Sequence, residues 1–523
     1  MSAETGQGSP TVKGMYHLFL GNTIYTLLLA VTAIVVGRIL GPDGYGLYTV
    51  ALIVPSFLFT AIRLGLDSAA TRYAARLSSE GKEEESIAFV YATMIFGVVV
   101  ATVSSLVFVV LSAWIANNVV DRPELGPVMV PVAMVSVIGQ AAFNITDLGM
   151  TGLGRFDRAG VLQALQGGIK LFVSVALVVG GFGVAGAVAG YTASFVTSGA
   201  LGMAYILWLA RGSLPKGMKI DVATGLRYGF PIYLSSLAGG VVGPVISIAL
   251  ARTVSNSQIG GYSQASNFIS LIALLTYPIS TALFPLFSRK ADDLRSLGGP
   301  YQTSLRYTAL LVTPATGFII AFSEPLMATV YGRAYAFASP YLALFAVGSL
   351  LAGLGSLAWG PLLNGIGRTR DVLWTTALGS VVSMVGGVVM IEAFGVAGAI
   401  VGPLVGAVVS LSVGTWLVRT RLEYTLDLPR VWKFYAASGL AAALSWPISW
   451  VLHTPVFALI GGAVVFVALL VPFLALLSAL SEADIEELRG FLKFSAVVSR
   501  PLDAAISYYE LALALFHPAR SIP

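Results

Sequence analysis

Long stretches without a charged side chain are the feature that most restricts how this sequence can fold. Residues 86–120 contain no Asp, Glu, Lys or Arg, and residues 308–323 contain none either. A helix of about 20 apolar residues crosses the hydrocarbon core of a bilayer. Because backbone groups cannot stay unpaired in lipid, we expect these stretches to be membrane-spanning α-helices.

The composition agrees with a lipid environment. The chain is 57% hydrophobic and 11% charged, whereas soluble domains are about 45–50% apolar and about 25% charged. It has no cysteine, which excludes disulfide bonds, thiolate catalysis and cysteine metal sites. The net charge of +5 does not indicate a nucleic-acid partner, because the basic residues follow the predicted membrane topology.

Apolar windows between charged loops predict an all-α polytopic membrane protein with fourteen transmembrane helices. The predicted spans are 15–39, 44–68, 86–117, 125–152, 158–181, 184–211, 226–253, 258–286, 300–322, 337–364, 370–392, 395–419, 432–452 and 456–480. The predicted domains are a cytoplasmic N-terminal tail without a signal peptide (1–14), a six-helix bundle (15–211), a cytoplasmic linker (212–225), a second six-helix bundle (226–421), a C-terminal helix pair (432–480) and a cytoplasmic amphipathic tail (481–523).

The basic residues predict the side on which each loop lies. With the N-terminus in the cytoplasm, 24 of the 30 Lys and Arg residues fall in inner segments, and four fall in outer ones, namely Arg38, Arg122, Arg252 and Arg333. This distribution is the one that the positive-inside rule requires. We therefore expect both termini on the cytoplasmic side of the cell (inner) membrane.

Internal repetition divides the chain into two related halves. Residues 182–187 (FGVAGA) recur at 394–399, and residues 152–155 (GLGR) recur as GIGR at 365–368. Four single residues recur 214 positions later: Arg38, Gly46, Tyr48 and Ala51 as Arg252, Gly260, Tyr262 and Ala265. Because each half has an even number of spans, the halves are predicted to be parallel repeats around an axis along the membrane normal. Two such bundles enclose a space that opens to alternate sides when they rock, which is typical of a transporter.

Residues 181–186 fit the GxGxxG pattern of dinucleotide sites. That pattern indicates a nucleotide only between a strand and a helix, and here it joins two predicted membrane helices. We interpret it as a tight outer turn.

After Leu480 the chain becomes polar. Ser481 and Asp484 have the spacing of a helix capping box, with Asp in place of the usual Glu or Gln. A segment from Pro501 to Phe516 has apolar residues on one face and is too short to span. It is predicted to lie in the cytoplasmic interface.

No catalytic or metal-binding arrangement is visible in the sequence. The three histidines, His17, His453 and His517, are far apart and have no partner at ligand spacing. A membrane glycosyltransferase or polymerase would need a catalytic acid or base in a substantial outer loop, and every predicted outer loop is short. We expect no enzyme activity, no metal and no cofactor.

Polar residues within the spans are candidate functional residues because they are costly in lipid. Arg63 and Asp67 lie four apart in the second span and are predicted to share one face of that helix. They either neutralise each other near the cytoplasmic end, or one faces a cavity and the other orients it. Asn144 and Asp147 share a face of the fourth span, and Lys170 in the fifth either pairs with Asp147 or faces the cavity.

Arg38 and Arg252 occupy equivalent positions in the two repeats, at the outer ends of spans one and seven. They either extend to the outer headgroups or form a pair of guanidinium groups at the axis that binds phosphate.

Prolines and glycines are concentrated in spans seven and eight. Pro231, Gly243 and Pro244 in span seven and Pro278 in span eight are candidate hinges, because a proline inside a helix removes a hydrogen bond and kinks it.

Four motifs resemble those of a known family. Residues 38–48 (RILGPDGYGLY) and 64–72 (LGLDSAATR) are similar to its first-half signature, and residues 331–335 (YGRAY) and 364–368 (NGIGR) to its second-half signature. The family is that of the polysaccharide-biosynthesis flippases, within the multidrug/oligosaccharidyl-lipid/polysaccharide (MOP) exporter superfamily. The resemblance covers nearly the whole chain, including the number of helices.

The resemblance implies a V-shaped transporter, similar to the MATE proteins, with a cavity lined by spans one, two, seven and eight. Its substrate would be a polyprenyl- or dolichyl-(pyro)phosphate-linked oligosaccharide, moved from the cytoplasmic to the outer leaflet for polysaccharide or glycoprotein biosynthesis. Members often have an acidic residue just before the LGL motif, where this chain has Arg63. A cation site is therefore not carried over to this position, and coupling to Na⁺, H⁺ or the membrane potential stays open.

A charged headgroup needs a hydrated, cationic path, because unpaired charge is costly in lipid. The cations predicted to line that path are Arg38, Arg63, Lys170 and Arg252, and the predicted polar cavity or coupling residues are Asp67, Asn144 and Asp147. We expect the chain to act as a monomer, with the lipid-linked oligosaccharide and membrane lipids as its partners.

Two related functions compete with this one. A multidrug or organic-cation antiporter of the same superfamily, coupled to cations, would need carboxylates in its cavity, whereas this chain has more buried cations than exposed anions. A flippase for a peptidoglycan precursor would differ only in its substrate.

Overall fold

The computed structural model describes residues 10–125, 128–211, 229–230, 233–234, 236–237, 239–272, 287, 297–424, 428–481, 484–486, 489 and 496–516. Every regular element in these residues is a helix. Nine of the described helices are long and apolar enough to cross a membrane. The prediction of a polytopic α-helical membrane protein is confirmed at this level, whereas the fourteen spans, the repeat arrangement and the domain boundaries stay predictions.

The chain divides into two compact units. The first comprises Met1–Gln264 and Gly387–Ala399, and the second comprises Ala265–Gly386 and Ile400–Pro523. The described helices of the first unit are α1 (Pro10–Ile62), α2 (Leu66–Ser79), α3 (Glu83–Val110), α4 (Ser112–Asn118), α5 (Met129–Gly152), α6 (Phe156–Leu177), α7 (Gly183–Ala210) and α8 (Val242–Thr253), while α9 (Asn256–Ser270) contributes to both units.

Glycines interrupt the two longest helical segments. The 53 residues of α1 extend over about 80 Å at 1.5 Å per residue, more than twice the thickness of a bilayer core. α1 breaks at Gly41, whose φ of 67° is left-handed, and Pro42 then suits the first turn of the next arm. Between α6 and α7, Gly181 and Gly183 have φ values of 90° and 52°, which confirms the tight turn predicted there.

The core of the first unit lies between α1, α3, α5, α6 and α7, which pack against one another. Glycines set the closest approaches. A Cβ on Gly21 of α1 would overlap the backbone of Gly160 in α6, and a Cβ on Gly139 of α5 would overlap that of Val196 in α7. Since lipid provides little hydrophobic drive for helix association, close packing at such small residues holds the bundle together.

The second predicted span, 44–68, ends earlier than expected. α1 stops at Ile62 and α2 is a separate helix that packs against α3 and α5. Leu64 and Gly65 between them have φ values of 50° and 74°, a left-handed pair that a right-handed helix cannot contain. The prediction that Arg63 and Asp67 share one face of one helix is therefore wrong, because this turn separates them.

The described helices of the second unit are α10 (Gly298–Ala321), α11 (Ser323–Val330), α12 (Ser339–Ser349), α13 (Trp359–Gly365), α16 (Leu428–Ser445), α17 (Ile448–Val451), α18 (Pro455–Leu476) and α19 (Ala496–Phe516), while α14 (Thr369–Phe394) and α15 (Val396–Leu422) contribute to both units. The predicted span 337–364 is not one helix, since Gly355 with a φ of 103° separates α12 from α13. The predicted span 432–452 is also broken, because Pro447 disfavours helix at the residue before it and α16 ends at Ser445.

The capping box predicted at Ser481 is confirmed. Asp484 Oδ2 accepts hydrogen bonds from the backbone amide of Ser481 at 2.9 Å and from its hydroxyl at 2.6 Å. The Ser481 hydroxyl oxygen accepts one from the amide of Asp484 at 3.4 Å.

The last helix, α19, begins at Ala496 and not at Pro501 as predicted. It buries Ile506 and Tyr509 against α18, within the core of the second unit. Leu511 on another face stays exposed, so apolar residues cover more than the single face expected. Contact of the exposed face with the membrane interface stays a prediction.

Candidate functional site

The break between α1 and α2 determines where Arg63 lies. Its carbonyl oxygen accepts a hydrogen bond from the amide of Leu66 at 2.9 Å, which closes the turn. Gly65 in this turn lies so close to Gly229 that a Cβ on either would overlap the backbone of the other. Tyr233 donates a hydrogen bond to the carbonyl of Ala61 at 2.5 Å. The start of the seventh predicted span therefore packs beside Arg63.

Arg63 and Asp67 form an ion pair across this turn. Arg63 Nε donates to Asp67 Oδ2 at 2.9 Å, and Nη2 donates to the same oxygen. Asp67 Oδ1 accepts from the amide of Ser68 at 2.8 Å, in the first turn of α2, where the helix dipole stabilises a negative charge. The side chain of Asp67 is 8% exposed and that of Arg63 is 40% exposed. The buried carboxylate thus orients a guanidinium that remains accessible, which combines the two interpretations left open above.

Arg63, Asp67 and Asn144 line one small cavity of about 20 Å³, which is enough for a single water molecule. The apolar part of its wall is Phe59, Ile62, Leu66, Gly97, Ala141 and Ile145. Asn144 Oδ1 is buried and has no hydrogen-bond partner among the described residues. Three polar residues selected from the sequence therefore meet at one point, although they come from the turn after α1, from α2 and from α5.

Asp147 is not part of this cavity. It is buried, and its carboxylate accepts hydrogen bonds from Gln163 Nε2 of α6 at 3.0 and 3.2 Å. Asn144 and Asp147 thus have different neighbours, even though they are three residues apart on α5. The carboxylate of Asp147 serves the contact between α5 and α6.

Lys170 does not pair with Asp147, which corrects one of the two interpretations left open above. Its ammonium nitrogen lies over the ring of Tyr191 in α7, 5.1 Å from the ring centroid. A cation over an aromatic face is stabilised by the ring quadrupole. This contact takes the place of an ion pair, because Gln163 already occupies the carboxylate of Asp147.

Arg38 and Arg252 are both exposed and lie outside the Arg63 cavity. Arg38 is three residues before the break in α1, and Arg252 lies in the last turn of α8. Arg122, which the sequence placed in an outer loop, has a structural role: it donates to Asn256 Oδ1 at 3.0 Å and to the carbonyl of Val254 at 2.8 Å.

The predicted hinges are described only in part. Gly243 and Pro244 lie in the first turn of α8, and residues 239–240 just before it are also helical. Val241 between them has helical dihedral angles, and its amide donates a hydrogen bond to the carbonyl of Leu237 at 3.0 Å. The helical run is therefore interrupted beside Pro244, and a hinge at this point stays a prediction. Pro231 and Pro278 lie outside the described residues.

Two parts of the site were not selected from the sequence. Phe59 lies one helical turn before Arg63, with its ring 5.8 Å from the guanidinium carbon, and the spacing of four was the signal available. Gly97 of α3 also lines the cavity, and nothing in its local sequence distinguishes it. Across the described ranges, no group of three His, Asp or Glu residues is placed to hold a metal ion.

Comparison with known proteins identifies the family. A family model described as "Polysaccharide biosynthesis protein" matches residues 35–340. The succinoglycan biosynthesis transport protein ExoT of Rhizobium meliloti (strain 1021) is 24% identical over 390 residues, which cover 73% of each chain.

Two solved structures share the fold. The lipid II flippase MurJ in an inward closed conformation has a TM-score of 0.72 and 14% identity, covering 87% of this chain and 98% of the other. An inward-facing MATE multidrug transporter of the MOP superfamily has a TM-score of 0.65 and 16% identity, covering 78% and 98%. The resemblance seen in the motifs is confirmed: the chain belongs to the polysaccharide biosynthesis protein family.

Proposed function

We propose that the protein is a flippase that moves a polyprenyl- or dolichyl-(pyro)phosphate-linked oligosaccharide from the cytoplasmic to the outer leaflet. Its family supports a role in polysaccharide biosynthesis, and its relative ExoT is a transport protein of succinoglycan biosynthesis. The fold is one that a lipid II flippase also uses. The physical task is to carry a charged headgroup through a layer where unpaired charge is costly.

The exposed guanidinium of Arg63 is the observation that carries this proposal. A guanidinium has five N–H donors in a planar fork, and Asp67 occupies only the Nε edge and part of Nη2. The remaining donors suit phosphate oxygens, which guanidinium groups bind with strong, charge-assisted hydrogen bonds. Asn144 adds a polar group beside them. In this proposal Arg38, Lys170 and Arg252 supply positive charge along the path, and the hinges allow the halves to move.

The proposal includes an arrangement of fourteen spans as two parallel six-helix repeats and a helix pair, with both termini in the cytoplasm. Reciprocal contacts support a two-fold relation: Gly46 lies against the backbone of Asn256, and Gly260 against that of Pro42. Rocking of the halves gives a monomer alternating access, driven by Na⁺, H⁺ or the membrane potential.

The experiment uses a strain from which the gene has been deleted. We expect lipid-linked sugar to accumulate on the cytoplasmic face and wild-type protein to relieve the accumulation. Arg63→Ala should insert into the membrane but fail to relieve it. Arg76→Ala is the matched control, because Arg76 is an arginine on α2 with a 68% exposed side chain and a surface ion pair to Glu80, a kind of pair worth about 0–1 kcal/mol.

Normal glycan export by inserted Arg63→Ala would remove Arg63 from the site. Absence of accumulation in the deletion strain, together with greater sensitivity to organic cations, would instead favour the multidrug antiporter.

A further inference from the structure

Two adjoining cavities flank the start of α16 in the second unit. One, of about 170 Å³, is lined by residues that include Gln302, Thr303, Arg306, Arg430 and Val431. The other, of about 470 Å³, is lined by residues that include Leu428, Val431, Trp432 and Tyr435. Because Val431 lines both cavities, a polar space and an apolar space meet at the first turn of α16.

The polar cavity is lined by residues that donate hydrogen bonds. Its described lining residues include two arginines, Arg306 and Arg430, and no acidic residue. Arg306 is held by Asp484, with 2.7 Å between Nη2 and Oδ1, and the two side chains are 18% and 2% exposed. Arg306 Nε is buried and has no hydrogen-bond partner among the described residues. Arg430, the other arginine, is exposed and therefore accessible to a ligand in this cavity.

The first turn of α10 adds to the positive potential of the cavity. α10 begins at Gly298, its N-cap Leu297 makes no side-chain capping bond, and its first turn has no acidic residue. Gly299 and Thr303 of this helix line the cavity. The first amides of a helix lack internal partners and favour anions, phosphate groups among them.

The neighbouring cavity has the character of a hydrocarbon site. Leu354, Leu428, Pro429 and Val431 form most of its wall. The hydroxyl of Tyr435, which also lines this cavity, is already used in a hydrogen bond to the carbonyl of Leu350. Trp432 is exposed at its edge, and tryptophan is enriched where proteins meet the membrane interface.

We propose that the two cavities together bind one anionic phospholipid. The phosphate lies against Arg306, Arg430 and the first turn of α10, and an acyl chain lies along Trp432 and Tyr435. The positive-inside pattern assigns this face to the cytoplasmic leaflet. The site shares no residue with the Arg63 cavity, so it does not depend on the proposed transport function. Its ligand class follows from a cationic pocket that adjoins an apolar one at Val431.

Native mass spectrometry of the purified full-length chain tests the proposal. Phosphatidylglycerol and phosphatidylcholine of equal chain length are titrated separately into detergent-solubilised protein, and inorganic phosphate is added in a parallel series. We expect phosphatidylglycerol to bind about tenfold more tightly than phosphatidylcholine, since both carry the phosphate but the choline cation of phosphatidylcholine is repelled by the arginines. Arg430→Gln should remove most of this preference.

Arg421→Gln is the matched control, because Arg421 is an exposed arginine at the end of α15 that does not line either cavity. It should bind like the wild type. Equal affinity of the wild type for both lipids, or equal loss in both arginine-to-glutamine variants, would overturn the proposal. Displacement of phosphatidylglycerol by millimolar inorganic phosphate would also overturn it, because the site would then take free phosphate and not a lipid.

Discussion

Thr49 donates a hydrogen bond to the hydroxyl oxygen of Ser263 at 3.3 Å, although the two residues are 214 positions apart. The same offset relates Gly46 to Gly260, and each of these glycines lies against the backbone of the other segment. The two contacts are reciprocal, because Gly46 lies against Asn256 and Gly260 lies against Pro42. The offset first seen as a repeat in the sequence is thus also the offset of residues that touch.

Adding a methyl group at this crossing should loosen it. Gly46→Ala and Gly260→Ala each place a Cβ on a backbone carbonyl, and overpacking of this kind typically costs about 1–3 kcal/mol. We expect both variants to unfold at a lower temperature than the wild type when thermal unfolding is followed in detergent by size-exclusion chromatography.

The control for the crossing is Gly168→Ala in α6, where a Cβ meets nothing within 4 Å. This variant should unfold no earlier than the wild type, since alanine favours a helix over glycine by about 1 kcal/mol. Equal behaviour of all three variants would show that the crossing is not tightly packed.

Much of the fold was predictable because the decisive signals are local. Charge-free runs indicate spans, and the turns at Gly41 and Gly181 coincide with Gly-Pro and Gly-x-Gly sequences. The end of α1 at Ile62 was not predicted, because Arg63 and Asp67 have the spacing of an ion pair within one helix and Leu64 is not a usual left-handed residue. Packing of Gly65 against Gly229 stabilises that turn, and such a long-range contact has no local signature.

Asp67 should affect the transport rate indirectly, because it orients the guanidinium of Arg63. Asp67→Asn keeps an acceptor for Arg63 but loses the charge, and charge-assisted hydrogen bonds are roughly twice as strong as neutral ones. We expect the initial flipping rate to fall by about tenfold or less, and by less than in Arg63→Ala. Asp157→Asn, at an exposed carboxylate beside Arg158, should leave the rate unchanged. A rate for Asp67→Asn equal to that of the wild type would mean that the pair has no positioning role.

Substitutions of Asn144 and Gln163 should affect the transport rate and the thermal stability differently. Asn144→Ala removes a buried oxygen without a hydrogen bond, so we expect a thermal midpoint close to the wild type and slower transport. Gln163→Ala removes the donor of Asp147, and leaving a buried acceptor unpaired costs about 1–3 kcal/mol. Thermal unfolding and flipping rates measured on the same samples check both expectations. Loss of stability in Asn144→Ala alone would contradict them.

Asp484 should contribute to the stability of the second unit. Asp484→Ala leaves Arg306 without its buried partner, and breaking a buried ion pair costs about 3–5 kcal/mol. Ser481→Ala removes only the cap, at a cost of about 1 kcal/mol. Thermal unfolding should therefore rank wild type, Ser481→Ala and Asp484→Ala in descending order. Equal midpoints for the two variants would show that the ion pair contributes nothing.

The residues of the candidate site could be predicted from the sequence, but their spatial arrangement could not. Arg63, Asp67 and Asn144 stood out because polar residues are rare within apolar spans. Their grouping depends on how α2 packs against α5, which sequence spacing does not reveal. Lys170 and Asp147 were matched by charge, but Tyr191 and Gln163 are their neighbours in the structure. Charged residues can be identified in the sequence, but the packing of the helices determines which of them are in contact.

The most direct measurement is the initial rate at which purified protein in liposomes moves a fluorescent polyprenyl diphosphate sugar between leaflets. The double variant Arg63→Gln with Asp67→Asn removes both charges and avoids leaving a buried carboxylate unpaired. We expect its rate to fall by about ten- to a hundredfold, since one or two charged hydrogen bonds to phosphate are lost, with Arg76→Ala at the wild-type rate. Flipping by the double variant at the wild-type rate would contradict the central claim that Arg63 binds the phosphorylated headgroup.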